Sequence, residues 1–172
     1  MSEAATKSQV LLARLACVLI VILLGLGLLD NGLSLETYSR IWNDIADRPG
    51  GPMTFRFLLQ PAMATIAALH DGIMDARLGR SPYLWAILSD RQVSVSRLRE
   101  GVIATARIIL LGLGMDAVYQ ATVLKTFYPG EMVIVALLLA FIPYVLLRGV
   151  IERVARAWLA HKREDSRRPE KS

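Results

Sequence analysis

Two groups of ionisable side chains lie in stretches that are otherwise apolar enough for a lipid bilayer. The first group is His70, Asp71 and Asp75, and its two carboxylates share one helix face because they are four residues apart. The second group is Arg107 and Asp116. Carboxylates beside an imidazole can bind metal ions or carry protons. An ionisable residue inside a membrane span is by default a functional candidate, so these five residues form the candidate intramembrane polar site.

Each carboxylate of this site also has a plain structural explanation. Asp75 is expected in water at the membrane surface, which leaves Asp71 as the carboxylate clearly inside, and no metal site is predicted. Asp116 precedes Tyr119 and Gln120 near the end of its stretch, so it is expected to reach headgroups or water.

The two charges of the second group cannot pair with each other. Arg107 and Asp116 are nine residues apart, which puts them on opposite sides of a helix and about 13.5 Å apart along it. Arg107 lies roughly 9 Å inside its stretch and Asp71 roughly 7.5 Å inside the neighbouring one. We therefore predict an ion pair between Arg107 and Asp71, with His70 or Asp75 close by. The alternative is that Arg107 extends its side chain to the membrane surface.

Four apolar stretches must position these residues. They cover about residues 10–29, 57–76, 101–121 and 130–148, and 54% of the chain is hydrophobic. About twenty residues of helix cross a hydrocarbon core of about 30 Å, and hydrocarbon requires every backbone polar group to be bonded internally. The sequence predicts an all-α fold, an integral membrane four-helix bundle over residues 1–147.

The first stretch allows two interpretations. Lys7 and Arg14 followed by an apolar core are also typical of a secretory signal peptide. The core is long, however, and "LLDNGLSLE" after it contains no small-x-small cleavage site, so an uncleaved membrane anchor is predicted.

Basic residues alternate with the spans. The basic residues before the first span, between the second and third, and after the fourth are Lys7, Arg14, Arg77, Arg80, Arg91, Arg97, Arg99, Arg148, Arg153, Arg156, Lys162, Arg163, Arg167, Arg168 and Lys171. The other two connections hold only Arg40, Arg48, Arg56 and Lys125. The positive-inside rule then predicts that both termini are cytoplasmic. The net charge of +5 is explained by topology and by anionic headgroups as the partner, and no nucleic-acid partner is predicted.

Amphipathic segments are predicted beside the spans. "LSLETYSRIWNDIADR" places Tyr38, Ile41, Trp42 and Ile45 on one helical face, which indicates a helix on the outer surface. "SPYLWAIL" is read as a similar segment on the inner side. Residues 148–172 are predicted to form a basic amphipathic helix carrying Trp158, followed by a disordered cytoplasmic tail.

The second span also carries a packing pattern. Ala64, Ala68, Gly72 and Ala76 follow one another at intervals of four. Such a stripe of small residues predicts close approach of another helix rather than a functional site.

Several motifs resemble known families. "DGIMDAR" at 71–77 resembles the D-G-x-x-A-R opening of the CDP-alcohol phosphotransferases, but Asp75 interrupts it and the later G-x-x-x-D-x-x-x-D is absent. "GIMDARLGR" is similar to a loop of major-facilitator transporters, with different spacing. Over its whole length, with "FRFLLQP", "YPGE" and "PYVLLRG", the chain resembles small bacterial inner-membrane proteins with no assigned activity. That resemblance implies a bacterial inner membrane and no particular chemistry.

No complete catalytic motif and no cofactor motif is present in the sequence, since G-x-S-x-G, H-E-x-x-H, C-x-x-C and a P-loop are all missing. The prediction is therefore a non-enzymatic multi-pass membrane protein that acts through a membrane-protein partner, a homo-oligomer or membrane organisation. The alternative is a small oligomeric conduit for protons, ions or a solute that uses Asp71 and Arg107.

Overall fold

The computed structural model describes residues 5–31, 54–89 and 91–165, together with the isolated positions 39, 42, 43, 46 and 50. These residues form helices and no strand. In chain order the helices are α1 (Lys7–Asn31), α2 (Arg56–Arg77), α3 (Tyr83–Ser89), α4 (Arg91–Tyr119) and α5 (Pro129–Asp165). A π-helical turn, Gln120–Leu124, extends α4.

Three segments are long and apolar enough to cross a membrane: Lys7–Asp30, Gln92–Leu124 and Pro129–Lys162. They correspond to the predicted first, third and fourth spans. The predicted second span, residues 57–76, forms α2, which is 22 residues long but is not among the three apolar segments. The reason is its composition, because α2 contains Arg56, Gln60, His70, Asp71, Asp75 and Arg77.

Two helices extend well beyond the spans predicted for them. α4 begins at Arg91, ten residues before the predicted start, and α5 continues for 37 residues without interruption. Pro143 lies inside α5 and does not end it. Residues 148–165, predicted as an amphipathic helix following the bundle, are thus the end of α5 itself. The predicted tail 166–172 and most of the predicted surface helix near residues 34–48 lie outside the described residues.

The stripe of small residues on α2 packs as predicted. Ala64 and Ala68 are fully buried, and α2 packs mainly against α5. A Cβ atom added at Gly72 would lie 2.9 Å from Ile151 Cγ2 and 3.0 Å from the Arg148 carbonyl oxygen. The backbones of α2 and α5 therefore approach so closely that only a glycine fits at this crossing.

α1 packs along α4 and α5 with one face. Its buried side chains are small, Ala13 and Ala16, while Leu11, Val21 and Leu29 are exposed. Exposed leucine and valine on a helix of this length are expected where hydrocarbon is the solvent. α1 therefore presents one face to the bundle and leaves an apolar face exposed.

The centre of the bundle is apolar. Fully buried side chains from α2, α4 and α5 form this layer, namely Ala64, Ala68, Ile109, Ala136 and Ala140. Buried polar residues lie at both ends of it. The apolar layer thus separates two polar clusters, which contain Asp71, Asp75 and Asp116 of the predicted site residues.

Candidate functional site

The first polar cluster is built around Asp75, near the end of α2. Asp75 is 1% exposed, and its Oδ2 lies 2.8 Å from Arg148 Nε and 2.6 Å from Arg148 Nη2. Its Oδ1 accepts from Arg97 Nη1 at 3.1 Å and from Arg80 Nη1 at 3.4 Å. The expectation that Asp75 sits in water is wrong, because α4 and α5 extend past the end of the predicted spans and cover it.

A second carboxylate, Glu100, contacts the same three arginines. Glu100 lies 3.4 Å from Arg80 and 3.3 Å from Arg97, both measured to Nη1, and 3.2 Å from Arg148 Nη2. Unlike Asp75, Glu100 is 39% exposed. We call Asp71, Asp75, Arg80, Arg97, Glu100 and Arg148 the Asp75 cluster.

Two tyrosines fix the arginines of this cluster. The Arg148 guanidinium lies 4.2 Å from the centroid of the Tyr83 ring and 5.7 Å from that of Tyr144, within the range of cation–π attraction. The Tyr83 hydroxyl donates to the Arg97 carbonyl oxygen at 2.9 Å. Burial raises the pKa of Tyr83 to about 12, so this hydroxyl remains a donor at any physiological pH. A Cβ atom at Gly101 would collide with the same hydroxyl.

Asp71 is bound by α5 and not by α4. The Tyr144 hydroxyl donates to Asp71 Oδ2 at 2.6 Å, and Arg148 Nη1 lies 3.9 Å from the same oxygen. His70 Nδ1 lies 3.2 Å from Asp71 Oδ1. Arg107 is on the exposed face of α4, so the predicted pair between Arg107 and Asp71 does not form. α2 turns the Asp71 carboxylate toward Tyr144 and Arg148 of α5 instead.

The second polar cluster lies at the other end of the bundle, around Asp116. Arg56 Nη1 donates to Asp116 Oδ1 at 2.5 Å, and the two side chains are 1% and 0% exposed. Gln120 Nε2 donates to Asp116 Oδ2 at 2.9 Å. Asp116 was expected to reach headgroups or water, and this expectation is wrong because Arg56, the first residue of α2, is folded inward against it.

Gln120 also holds the connection between α4 and α5. Its Oε1 accepts from the Tyr128 backbone N–H at 2.7 Å, and its Nε2 donates to the Tyr128 carbonyl oxygen at 3.2 Å. These bonds close the turn that begins with the π-helical residues, in which Lys125 adopts a left-handed backbone conformation with φ 54°. The Asp116 pair and the turn are therefore one connected network.

Gln60 lies one turn after Arg56 and is fully buried. Both polar atoms of its amide, and Nε and Nη2 of Arg56, have no hydrogen-bond partner within the described parts of the chain. A buried polar atom left in this way costs about 1–3 kcal/mol. We call Arg56, Gln60, Asp116 and Gln120 the Asp116 cluster.

Sequence reasoning missed most residues of both clusters, although two patterns point to them. The buried positions of α2 repeat every four residues upstream of the small stripe, through Gln60 to Arg56. On α5 the same interval connects Tyr144, Arg148, Glu152 and Arg156. Polar residues on the same stripe as close-packed small residues face another helix, and of those on these two stripes Arg56, Gln60, Arg148 and Glu152 are buried.

The Asp75 cluster also ties α3 to α5. The Tyr83 backbone N–H donates to Glu152 Oε2 at 3.0 Å, and Arg156 donates both to Glu152 and to the Arg80 carbonyl oxygen. α3, the first turns of α4 and the end of α5 are thereby held together beyond the apolar layer.

A cavity of about 490 Å³ opens beside the Asp75 cluster. Among the residues lining it are Thr6, Gln9, Asp71, Arg80, Glu100 and Arg148, and we call this cavity the basin. In the described part of the chain no group of three or more His, Cys, Asp or Glu side chains is placed to hold a metal ion. The chemistry offered by the basin is therefore that of guanidinium and carboxylate groups.

No family model matches this chain, and no match was found among curated proteins or solved structures.

Proposed function

We propose that the chain is a multi-pass protein of the bacterial inner membrane, with α2 as a fourth span of a four-helix bundle. α2 measures about 33 Å at 1.5 Å per residue, which suffices to cross the hydrocarbon. Its charged residues Arg56 and Asp75 are buried in ion pairs. Pairing inside the bundle lowers the free-energy cost of burying these charges. A mean hydropathy over single residues does not take this pairing into account.

Both termini are placed in the cytoplasm by this proposal. The Asp75 cluster and the basic end of α5 lie at the same end of the bundle, and basic residues favour the cytoplasmic side. Reporter enzymes that work only outside the cytoplasm are expected to be active when fused after Thr126 or Gly50. They are expected to be inactive when fused after Arg91 or Lys162. Activity after Arg91 would contradict the proposed topology.

We propose further that the protein is not an enzyme and acts through a membrane-protein partner on its cytoplasmic side. One observation carries this proposal. α3 and the end of α5 are held together beyond the apolar layer by the Tyr83–Glu152 bond and the Arg156 bonds, while Trp85, Val154 and Trp158 on them are each more than 60% exposed. Fixed, exposed aromatic and aliphatic side chains are typical of surfaces that bind a protein.

The alternative, a conduit for ions or a solute, has less support. Within the described residues the two polar clusters are separated by the fully buried layer of Ala64, Ala68, Ile109, Ala136 and Ala140, and the basin is lined from one end of the bundle only. A conduit through one chain needs a continuous polar path, and this layer interrupts it, so a conduit would have to form between copies of the chain in an oligomer.

Affinity purification from native membranes tests the docking surface. We expect one stoichiometric partner, which is lost when Val154→Ser and Trp158→Ala are combined. Phe127→Ala is the matched control, because Phe127 is an exposed aromatic residue at the opposite end of the bundle, and this variant should retain the partner. Retention of the partner by the Val154/Trp158 variant would contradict the proposed surface.

A liposome experiment tests the alternative directly. The purified protein should leave a proton gradient across a liposome membrane intact. If the protein dissipates the gradient, and Asp71→Asn or Arg107→Ala abolishes the flux, the conduit replaces the docking proposal.

A further inference from the structure

The basin has the size and position of a ligand site. Its volume of about 490 Å³ falls within the range of about 300–1,000 Å³ that is typical of small-molecule pockets. It is walled by the beginning of α1, the end of α2, and residues of α4 and α5. It lies at the end of the bundle, beyond the apolar layer, where charged molecules have access.

The wall of the basin contains a carboxylate that is held loosely. Three guanidiniums converge on Glu100, yet the distances from Arg80, Arg97 and Arg148 are 3.4, 3.3 and 3.2 Å. A charge-assisted bond between a guanidinium and an oxyanion is strongest at about 2.7–2.9 Å. Arg97 and Arg148 make shorter bonds, at 3.1 and 2.6 Å, to the buried Asp75. Glu100 is thus the second and weaker partner of these two arginines.

Arg80 lies on the same wall of the basin and has N–H donors that its bonds to Asp75 and Glu100 do not use. Its hydrogen bonds to Asp75 and Glu100 all use the single atom Nη1, at 3.4–3.5 Å, so within the described residues its Nε and Nη2 remain for another acceptor. Its side chain is 32% exposed, whereas those of Arg97 and Arg148 are 7% and 3% exposed. Arg80 is therefore the arginine that an incoming molecule meets first.

We propose that the basin binds a phosphate group and that Glu100 occupies the phosphate position in its absence. A guanidinium matches a phosphate bidentately, as it matches a carboxylate. When the Glu100 side chain swings into solvent, Arg80, Arg97 and Arg148 present their remaining donors to the phosphate oxygens. Asp75 stays bound to Arg97 and Arg148 and keeps both guanidiniums in place.

Glu100 sets the affinity in this arrangement. Asp71, Asp75 and Glu100 together balance the three arginines, so the cluster carries no net charge until Glu100 leaves. The phosphate then replaces one carboxylate and restores the balance.

Phosphate reaches this end of a membrane protein either as a lipid headgroup or as a soluble phosphate compound, and the two sources offer the same chemistry to the arginines. The proposal does not rest on the docking surface.

Binding is tested with the full chain purified in a maltoside detergent, which contains no phosphate. The probes are inorganic phosphate and a short-chain phosphatidic acid, and binding is measured by titration calorimetry and by ³¹P resonance broadening. Arg80→Gln should weaken binding by about tenfold or more, since bonds between charged groups are at stake. Glu100→Gln should tighten binding by about tenfold, because the competing charge is removed.

Arg77→Gln is the matched control. Arg77 also lies at the end of α2 and is exposed, so this variant removes one positive charge nearby without touching the basin and should bind as the wild type does. Because Glu100→Gln is expected to gain affinity, its result decides the proposal even where Arg80→Gln does not fold.

Three results would overturn the proposal. The first is a lack of saturable binding of either probe to the wild type and to Glu100→Gln. The second is an equal loss of affinity in Arg77→Gln and Arg80→Gln, which would indicate nonspecific charge attraction. The third is an unchanged or weaker affinity of Glu100→Gln. Binding of phosphatidic acid alone identifies a lipid headgroup as the ligand, and binding of both probes identifies a site open to soluble phosphate compounds.

Discussion

Among the buried carboxylates, Asp75 and Asp116 lie at opposite ends of the helix bundle, and they differ in how many carboxylates their arginine partners contact. Arg56 pairs with Asp116 and contacts no second carboxylate in the described part of the chain. Asp75 is bound by three guanidiniums, and a second carboxylate, Glu100, contacts the same three arginines. A single pair leaves a bare buried charge when either partner is removed, whereas a network distributes the charge over several groups.

The two clusters also differ in their access to water. Both members of the Asp116 pair are almost completely buried, and the basin reaches the Asp75 cluster through Arg80 and Glu100. A half-exposed network can rearrange around a ligand because water stabilises the groups that are displaced. The Asp116 pair therefore joins α2 to α4 away from water, and the proposed phosphate site lies at the cluster that water reaches.

The largest loss of stability is expected at the buried pair of Arg56 and Asp116. Asp116→Asn leaves the Arg56 guanidinium buried and unpaired, which should lower the free energy of unfolding by about 3–5 kcal/mol. Combining Arg56→Met with Asp116→Leu should recover much of this loss, because no charge is then buried. Unfolding in mixed micelles measures both variants. Equal or greater damage in the double variant would show that the pair itself is not the source of the loss.

A smaller effect is expected at the network. Asp75→Asn removes the central carboxylate. Glu100 already contacts all three arginines and can still balance part of their positive charge. We expect a loss of about 2 kcal/mol in the same unfolding measurement. A loss larger than that of Asp116→Asn would reverse the comparison of the two clusters.

A change of stability in the opposite direction is expected at Gln60. Its buried amide has no hydrogen-bond partner in the described part of the chain, so Gln60→Leu removes an unsatisfied polar group from between α2 and Gly112. The free energy of unfolding should stay the same or rise by about 1 kcal/mol. A clear loss of stability would mean that the amide is hydrogen-bonded in the membrane.

The smallest effect is expected at Arg107. Its side chain is on the exposed face of α4, so Arg107→Gln should change the free energy of unfolding by less than about 0.5 kcal/mol. Asp71→Asn should cost more, because it weakens the Tyr144 bond and the contact with Arg148. Equal losses, with recovery in the variant that exchanges Asp71 and Arg107, would restore the predicted pair between them.

The helices could be predicted from the sequence because their cause is local. Apolar runs of about twenty residues form helices in any environment that withholds water from the backbone, and three of the four predicted spans are found as helices long and apolar enough to cross a membrane. The stripe of Ala64, Ala68 and Gly72 predicted a close helix contact, which α2 makes with α5.

The partners of the charged side chains could not be predicted in the same way. Asp71 was paired with Arg107 because their predicted depths matched, and yet Asp71 is bound by Tyr144 from α5. Depth fixes one coordinate of a side chain, while the rotation of each helix about its axis fixes the other. The faces that pack against other helices set this rotation. An apolar run in the sequence does not reveal the rotation, because each of its faces could contact lipid or protein equally well.

The sequence by itself therefore determined the helical segments, the spacing of small residues on α2 and the residues able to carry charge. Only the tertiary structure decided that α4 and α5 continue past the apolar layer, that Asp75 and Asp116 are buried at opposite ends, and that Arg80, Arg97 and Arg148 converge on Glu100. The physical reason is that the cost of burying a charge is met by partners from other helices, and those partners are distant in the chain.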